Sequence, residues 1–276
     1  MPKRFSTARG REFGDGLRAA VAATGMTSRK VAELVGWQEA KLSDLVNGKG
    51  GATELELALL LGACRTPPRE RDHLLSLFTG TGVKGWWQEH GSCAPISPRT
   101  LVEHERLAKG LVSWQTMLLH GMVQTPDYTR AVLDACANVP QGEREERVEA
   151  RGLRQETLRG GVRACFFMPE AVLLGRVGGG EVMREQLLHL DDLAAKPRID
   201  VRVVPVGAGA HAGMAGSFDL LSFDRYDDVV FLESENSSLI IEAPEALRSY
   251  RRVVEGLDAV ALDAERSREL IRKSLV

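Results

Sequence analysis

"MTSRKVAELVGWQEAKLSDLVNGK", Met26 to Lys49, decides the fold of the front of this chain. Thr27 precedes a run in which Val31, Ala32, Leu34 and Val35 recur at helical spacing, so the stretch predicts a helix capped by the threonine hydroxyl. Gly36 then ends it, because a residue without Cβ reaches the left-handed turn required there. A second helix is predicted from Gln38 to Val46, burying Ala40, Leu42 and Leu45 and stopping at Asn47-Gly48. Two short helices joined by a glycine turn form a helix-turn-helix.

Working outward, Leu17, Ala20, Val21 and Thr24 share one face of a helix that ends before Gly25. After Gly50-Gly51, Thr53 caps a further helix with Leu55, Leu59 and Leu60 expected inward. Pro67-Pro68 open "PRERDHLLSLF", and "TGTG" (Thr79 to Gly82) closes it and marks the expected domain boundary. The front of the chain, residues 1–80, therefore reads as an all-α domain of five short helices.

The segment from Met26 to Lys49 resembles the DNA-binding domain of the XRE-type, phage-repressor-like family. The resemblance rests on Ala32, which must be small where two helices cross, on Gly36 in the turn, on Leu42 and Leu45, and on the closing Asn47-Gly48-Lys49. It implies that the second helix of the pair enters the major groove of double-stranded DNA, with its N-terminal residues toward the base edges. Gln38, Glu39, Lys41 and Asp44 are then the expected base contacts, and Ser28, Arg29, Lys30 and Lys49 the expected phosphate contacts. The two carboxylates are compatible with DNA, since Glu and Asp accept from cytosine N4, while Gln pairs with adenine and Lys with guanine. Arg4, Arg9 and Arg11 could reach further phosphates as a flexible arm.

Residues 85–276 read as a second domain of α+β class, a small, mostly antiparallel sheet flanked by helices. "ISPRTLVEHERLAKGLVSWQTMLLHG" predicts one long amphipathic helix with Trp114 in its core face, and Thr125-Pro126 start another. Residues 142–159 form a charged helix. "RACFFMP", "IDVRVVPV", "GSFDLLSF", "DVVFLES" and "SLIIE" are short, apolar and often alternating, as strands are. Trp86 and Trp87 are adjacent and cannot both face one core, so one is expected against the helical head or a partner.

"GWWQEH", "MVQTPDYTRAVL", "EVMREQLLHL" and "VRVVPVGAGAHAGMAGSFDLLSF" are similar to a domain of unassigned function that follows repressor-like heads in actinobacterial regulators, often labelled antitoxin-like after the Scr1 group. The resemblance implies a small partner protein encoded nearby. The glycine-rich "GAGAHAGMAG" (Gly207 to Gly216) is too long for a simple hairpin, and Gly209, His211 and Gly213 are its expected partner-binding residues.

Composition excludes several classes. A hydrophobic share of 43% and a charged share of 27% are those of a globular protein. Four scattered cysteines without a C-x-x-C pair argue against a zinc module and fit a reducing cytosol. The first residues lack the apolar segment of a secretory signal, and no run reaches eighteen apolar residues, so a cytoplasmic protein without membrane contact is expected. Net charge is −2, yet residues 1–79 carry 12 Lys/Arg against 9 Asp/Glu and the rest 24 against 29, a basic front on an acidic body. "GAGAHAG" lacks the G-x-G-x-x-G spacing and is followed by a strand, so it does not predict a pyrophosphate site. "RVGGGEVMREQ" reads as a connector with Gly180 capping the next helix. No nucleophile elbow or metal-spaced His/Cys set is present, so neither catalysis nor a metal or other cofactor is expected. The sequence reads as a transcription regulator, a homodimer because one such head covers too little DNA for tight specificity. The competing readings are an antitoxin-like module with a vestigial head, and a repressor with a small-molecule pocket in its body.

Overall fold

The computed structural model describes residues 7–48, 50–81, 85–224 and 226–275. They divide into two compact units, Met1–Trp86 and Trp87–Val276. The expected boundary at Thr79–Gly82 ends on residues outside the described set.

The first unit is helical: α1 (Ala8–Ala23), α2 (Ser28–Leu34), α3 (Glu39–Val46), α4 (Glu54–Ala63) and α5 (Pro68–Phe78). Thr7, Thr27 and Thr53 each accept a backbone N–H of the first turn that follows, satisfying a donor that has no partner inside the helix. Thr53 and Glu56 form a reciprocal capping box, a device worth about 1 kcal/mol. Phe13, Leu17, Val31, Ala32, Leu42, Leu45, Leu57, Leu60, Leu61, Leu74 and Leu77 close the core. On α4 the inward face is Leu57, Leu60 and Leu61, whereas Leu55 and Leu59 are 72% and 61% exposed, and Leu34 of α2 is also exposed. Five leucines within seven residues leave no polar contrast from which to choose the face. Arg9 and Arg11 are not an arm: they lie in α1, Arg11 buried and Arg9 bonded to the Ser76 carbonyl beneath the Trp86 ring. Arg4 lies outside the described residues.

The second unit is built on a mixed sheet of seven strands among the described residues. In chain order its elements are β1 (Trp86–Glu89), α6 (Arg99–Leu107), β2 (Gly110–Trp114), α7 (Pro126–Ala135), α8 (Arg144–Arg154), α9 (Glu156–Arg159), β3 (Arg163–Pro169), α10 (Ala171–Leu174), α11 (Gly180–Ala194), β4 (Ile199–Val204), β5 (Phe218–Ser222), β6 (Val229–Glu233), β7 (Ser237–Ile241), α12 (Pro244–Val260) and α13 (Ala264–Lys273). The strand order is β1-β7-β6-β5-β2-β3-β4. β2 pairs parallel with β3 and β3 with β4, while β2–β5, β5–β6 and β6–β7 are antiparallel. The sheet is mostly antiparallel and flanked by helices, as expected, with β2, β3 and β4 forming a parallel layer at one side.

The long helix expected after Pro98 is instead α6 followed by β2, which sits between β3 and β5. Trp114 is core, as expected, but in a strand. A strand paired on both edges and buried on both faces loses the alternation that would have revealed it. Trp114, Phe167, Val204, Phe218, Leu220 and Val230 make one face, covered by Leu247 and Leu257 of α12. Phe166 and Phe231 face the other way, against the imidazoles of His120 and His104. Gly179, not Gly180, caps α11 at φ 94°, and Gly178 before it lets the chain pass closely by Val182 and Ala131.

Candidate nucleic-acid interface

α2 and α3 are held at a fixed angle by Gly36, at φ 70°, and by Trp37 N–H donating to the Ala32 carbonyl at 2.8 Å. Val31, Ala32, Leu42 and Leu45 are buried between them and the rest of the unit. Gly14 on α1 passes directly against the Val46 carbonyl, where any side chain would collide, so the C-terminal end of α3 is seated on α1. The α3 helix is therefore positioned from both ends by residues that leave its outer face open.

That face carries Gln38, Glu39, Ala40, Ser43 and Asp44, all exposed. Gln38 is the N-cap residue but makes no capping bond, so its amide is uncommitted to the helix end. Glu39 in the first turn complements the positive end of the helix. Lys41 is placed otherwise than its partners: its Nζ donates to Glu56 Oε1 of α4 at 2.6 Å and lies 4.5 Å from the Trp37 ring centroid. The Lys41 bond, with the Thr53 backbone N–H, holds the Glu56 carboxyl below the usual carboxylate range. Three of the four expected base contacts thus share one exposed surface, while the fourth is tied sideways into the unit.

Ser28, Arg29 and Lys30 are exposed on the first turn of α2, with Arg29 sharing its charge with Glu33 at 3.1 Å. Lys49 lies outside the described residues. Thr53 was expected as a cap, and Glu56 completes it as the T-x-x-E partner. Its second role, as the acceptor for Lys41, depends on how α4 packs and has no local signal.

In the second unit the segment 205–217 joins β4 to β5 across two intervening strands rather than as a hairpin. It contains two 3-10 turns, Val206–Ala208 and Ala212–Ala215. His211 packs edge-on against Trp114, its Nδ1 accepting from Gly213 N–H at 3.2 Å. The Gly213 carbonyl accepts from Trp114 Nε1 at 2.7 Å, and a Cβ on Gly213 would come within 2.8 Å of Trp114 and Leu257. Gly209, at φ 69°, stands exposed, as do Val206 and Met214. Trp86, the last residue of the first unit, packs on that unit's own core, and Trp87, the first residue of the second, is exposed.

Among the described residues no group of His, Cys, Asp and Glu is arranged to hold a metal ion, and no helix is long and apolar enough to cross a membrane. Residues 98–273 match the family described as a domain of unknown function (DUF5753), and residues 12–74 match a helix-turn-helix domain. No curated protein matches. Among solved structures, the chain is similar to TrmBL2, an archaeal chromatin protein whose structure shows a novel mode of DNA binding, at 11% identity over 71% of this chain and 61% of that one. The TM-score of 0.32 is too low for that likeness to carry an argument.

Proposed function

Because the chain belongs to the family of the domain of unknown function DUF5753, here behind a helix-turn-helix domain, we propose that it is a sequence-specific DNA-binding regulator of transcription. The observation that carries this reading is the open outer face of α3, with Gln38, Glu39 and Asp44 exposed and the core packed entirely behind them. Seated in a major groove, this face offers an amide for adenine and carboxylates for cytosine N4. Ser28, Arg29 and Lys30 on α2, with Lys49, supply the phosphate contacts. Lys41 reads a base only after leaving Glu56.

The protein acts as a homodimer in the cytoplasm, two heads reading two half-sites. Its DUF5753 domain takes up a small partner protein, with the exposed part of the 205–217 segment, Val206, Gly209 and Met214, as the contact; His211 and Gly213 support that surface from beneath. Catalysis is not part of the reading. His120, a buried candidate base near a carboxylate, has Nδ1 occupied by Met122 N–H and Nε2 facing Asp219 at 3.4 Å.

Selection of duplexes from a random pool by the full chain tests the proposal. A single enriched motif, altered at one position by Gln38→Ala, is the expected result. A pool that stays random after several rounds rejects it and favours the vestigial head.

A further inference from the structure

A cleft opens in the second unit where β2 and β6 end, lined by Gln115, His120, Gln124, Arg151, Arg154 and Glu233, with a volume of about 340 Å³. A smaller recess of about 90 Å³ adjoins it and shares Arg151, Arg154 and Glu233. Carboxyl ends of parallel strands are where open α/β sheets hold their ligands, because the chain diverges there and leaves a crevice.

One face of α8 supplies three arginines, Arg147, Arg151 and Arg154, at spacings of four and three. Two are neutralised. Arg147 pairs with Glu143 at 2.8 Å, and Arg154 grips the buried Glu105 with two bonds of 2.6 and 2.9 Å. Arg151 differs. Among the described residues it has no carboxylate within ion-pair distance, and its one hydrogen bond goes to the neutral Gln124 Oε1 at 3.0 Å.

The surroundings hold it in place. Gln124 is fixed by donating Nε2 to the Leu119 carbonyl at 2.7 Å and by accepting from Thr129 Oγ1 at 3.0 Å. The aliphatic stem of Arg151 lies along Gly121, where a Cβ would approach its Cδ to 3.3 Å. Desolvation lowers the Arg151 pKa, the neighbouring Arg154 adds to it, and Glu233 opposes it from a distance without making an ion pair. A half-buried guanidinium with no carboxylate in direct contact, only Glu233 at longer range, is incompletely compensated in the free protein, and an anion from outside completes it.

We propose that this cleft is a binding site for a small organic monocarboxylate, its two oxygens facing the Arg151 guanidinium. One guanidinium without a directly paired carboxylate calls for one negative charge in contact with it, and the planar fork matches a carboxylate in two parallel bonds. Leu119, Val132 and Leu133 in the same wall give the ligand an apolar body to bury. Glu233 lines the same cleft, its carboxyl raised above the ordinary range by desolvation against the pull of Arg154. There it favours a ligand bearing a hydrogen-bond donor opposite its carboxylate.

The larger groove of this unit, about 550 Å³ between α6 and α8–α9, lacks this feature, since Arg106, Lys109, Glu146, Glu149 and Glu156 there are all exposed.

The test is thermal melting of the full chain and of Arg151→Gln with acetate, butyrate or benzoate against equal chloride, with benzamide and inorganic phosphate as controls. Without probe, Arg151→Gln melts no lower than the wild type, because it removes a half-buried charge that lacks an ion-pair partner. At least one carboxylate raises the wild-type melting by about 3 °C, benzamide does not, and Arg151→Gln binds that probe at least about tenfold more weakly. Equal shifts in both proteins, no shift with any carboxylate, or a larger shift with phosphate overturns the proposal. So does an Arg151→Gln variant that melts well below the wild type, since the arginine would then be structural.

Discussion

Lys41 on α3 and Glu56 on α4 are joined Nζ to Oε1 at 2.6 Å, with the same ammonium over the Trp37 ring at 4.5 Å. A residue on the exposed helix of the head is thereby held by the fourth helix, and Glu56 serves two ends at once, closing the Thr53 capping box and restraining the lysine. Binding a guanine or a phosphate with Lys41 requires breaking this pair first. The restraint therefore disfavours non-specific binding, because a backbone phosphate alone must compete with a carboxylate already in place.

Glu56→Gln separates the two roles. Glutamine still accepts the Thr53 N–H, so the head melts within a few degrees of the wild type, while Lys41 is released. Affinity for non-specific duplex is expected to rise several-fold, and the slope of log K against log salt to steepen by about 0.9, one added phosphate contact. Titration of a scrambled duplex at several salt concentrations checks this; an unchanged slope means that Lys41 does not reach the backbone.

Gly14→Ala tests the seat of α3. The added methyl meets the Val46 carbonyl, which belongs to backbone and cannot swing away. A loss of about 1–3 kcal/mol in the head is expected, with DNA binding falling further than melting because α3 is displaced. Equal retention of stability and binding would show that α1 does not position α3.

These contacts mark how far the sequence could be read. The caps at Thr27, Thr53 and Thr125, the turn at Gly36 and the alternating strands were legible because each is decided within four or five residues. The face of α4 was not, since its leucines carry no polar contrast, and β2 was taken for helix because a central strand is apolar on both sides. The cleft around Arg151 was invisible for another reason: α8 reads as an ordinary charged helix until β2, β6 and the Gly121 turn are brought against it.

Gly213→Ala bears on the 205–217 segment. Its Cβ would press on the Trp114 indole and Leu257, both buried, so a loss of about 1–3 kcal/mol is expected in the melting of the DUF5753 domain. Shortening the segment to a tight turn would likewise unseat Trp114 and cannot serve as a neutral deletion. Val206→Ser with Met214→Ser changes only exposed side chains and leaves melting unchanged; loss of the partner in that variant is the cleaner sign of a contact.

Asp219 gives the acid response its sign. Burial pushes its carboxyl up, but His120, then Ser113 and Arg154, outweigh burial and hold it below the usual range. A carboxylate depressed in the folded state contributes stability that is present above the ordinary carboxylate pKa of about 3.9 and is lost as pH falls through the lower folded value. Asp219→Asn should destabilise by about 3 kcal/mol at pH 7 and progressively less below pH 4. Melting of both proteins from pH 7 to pH 3 reads this; a difference that stays constant across the range contradicts it.

Whether the α2–α3 face reads DNA sequence is decided by the affinity of the full chain for its selected duplex and for a scrambled one, between 50 and 200 mM salt. A face that reads sequence binds the selected duplex at least about a thousandfold more tightly than the scrambled one at the higher salt. A log–log salt slope of about −5 is also expected, from roughly three phosphate contacts in each of two heads. Equal affinity for the two duplexes across the salt range contradicts the account, and would leave the helix-turn-helix as a fold without its function.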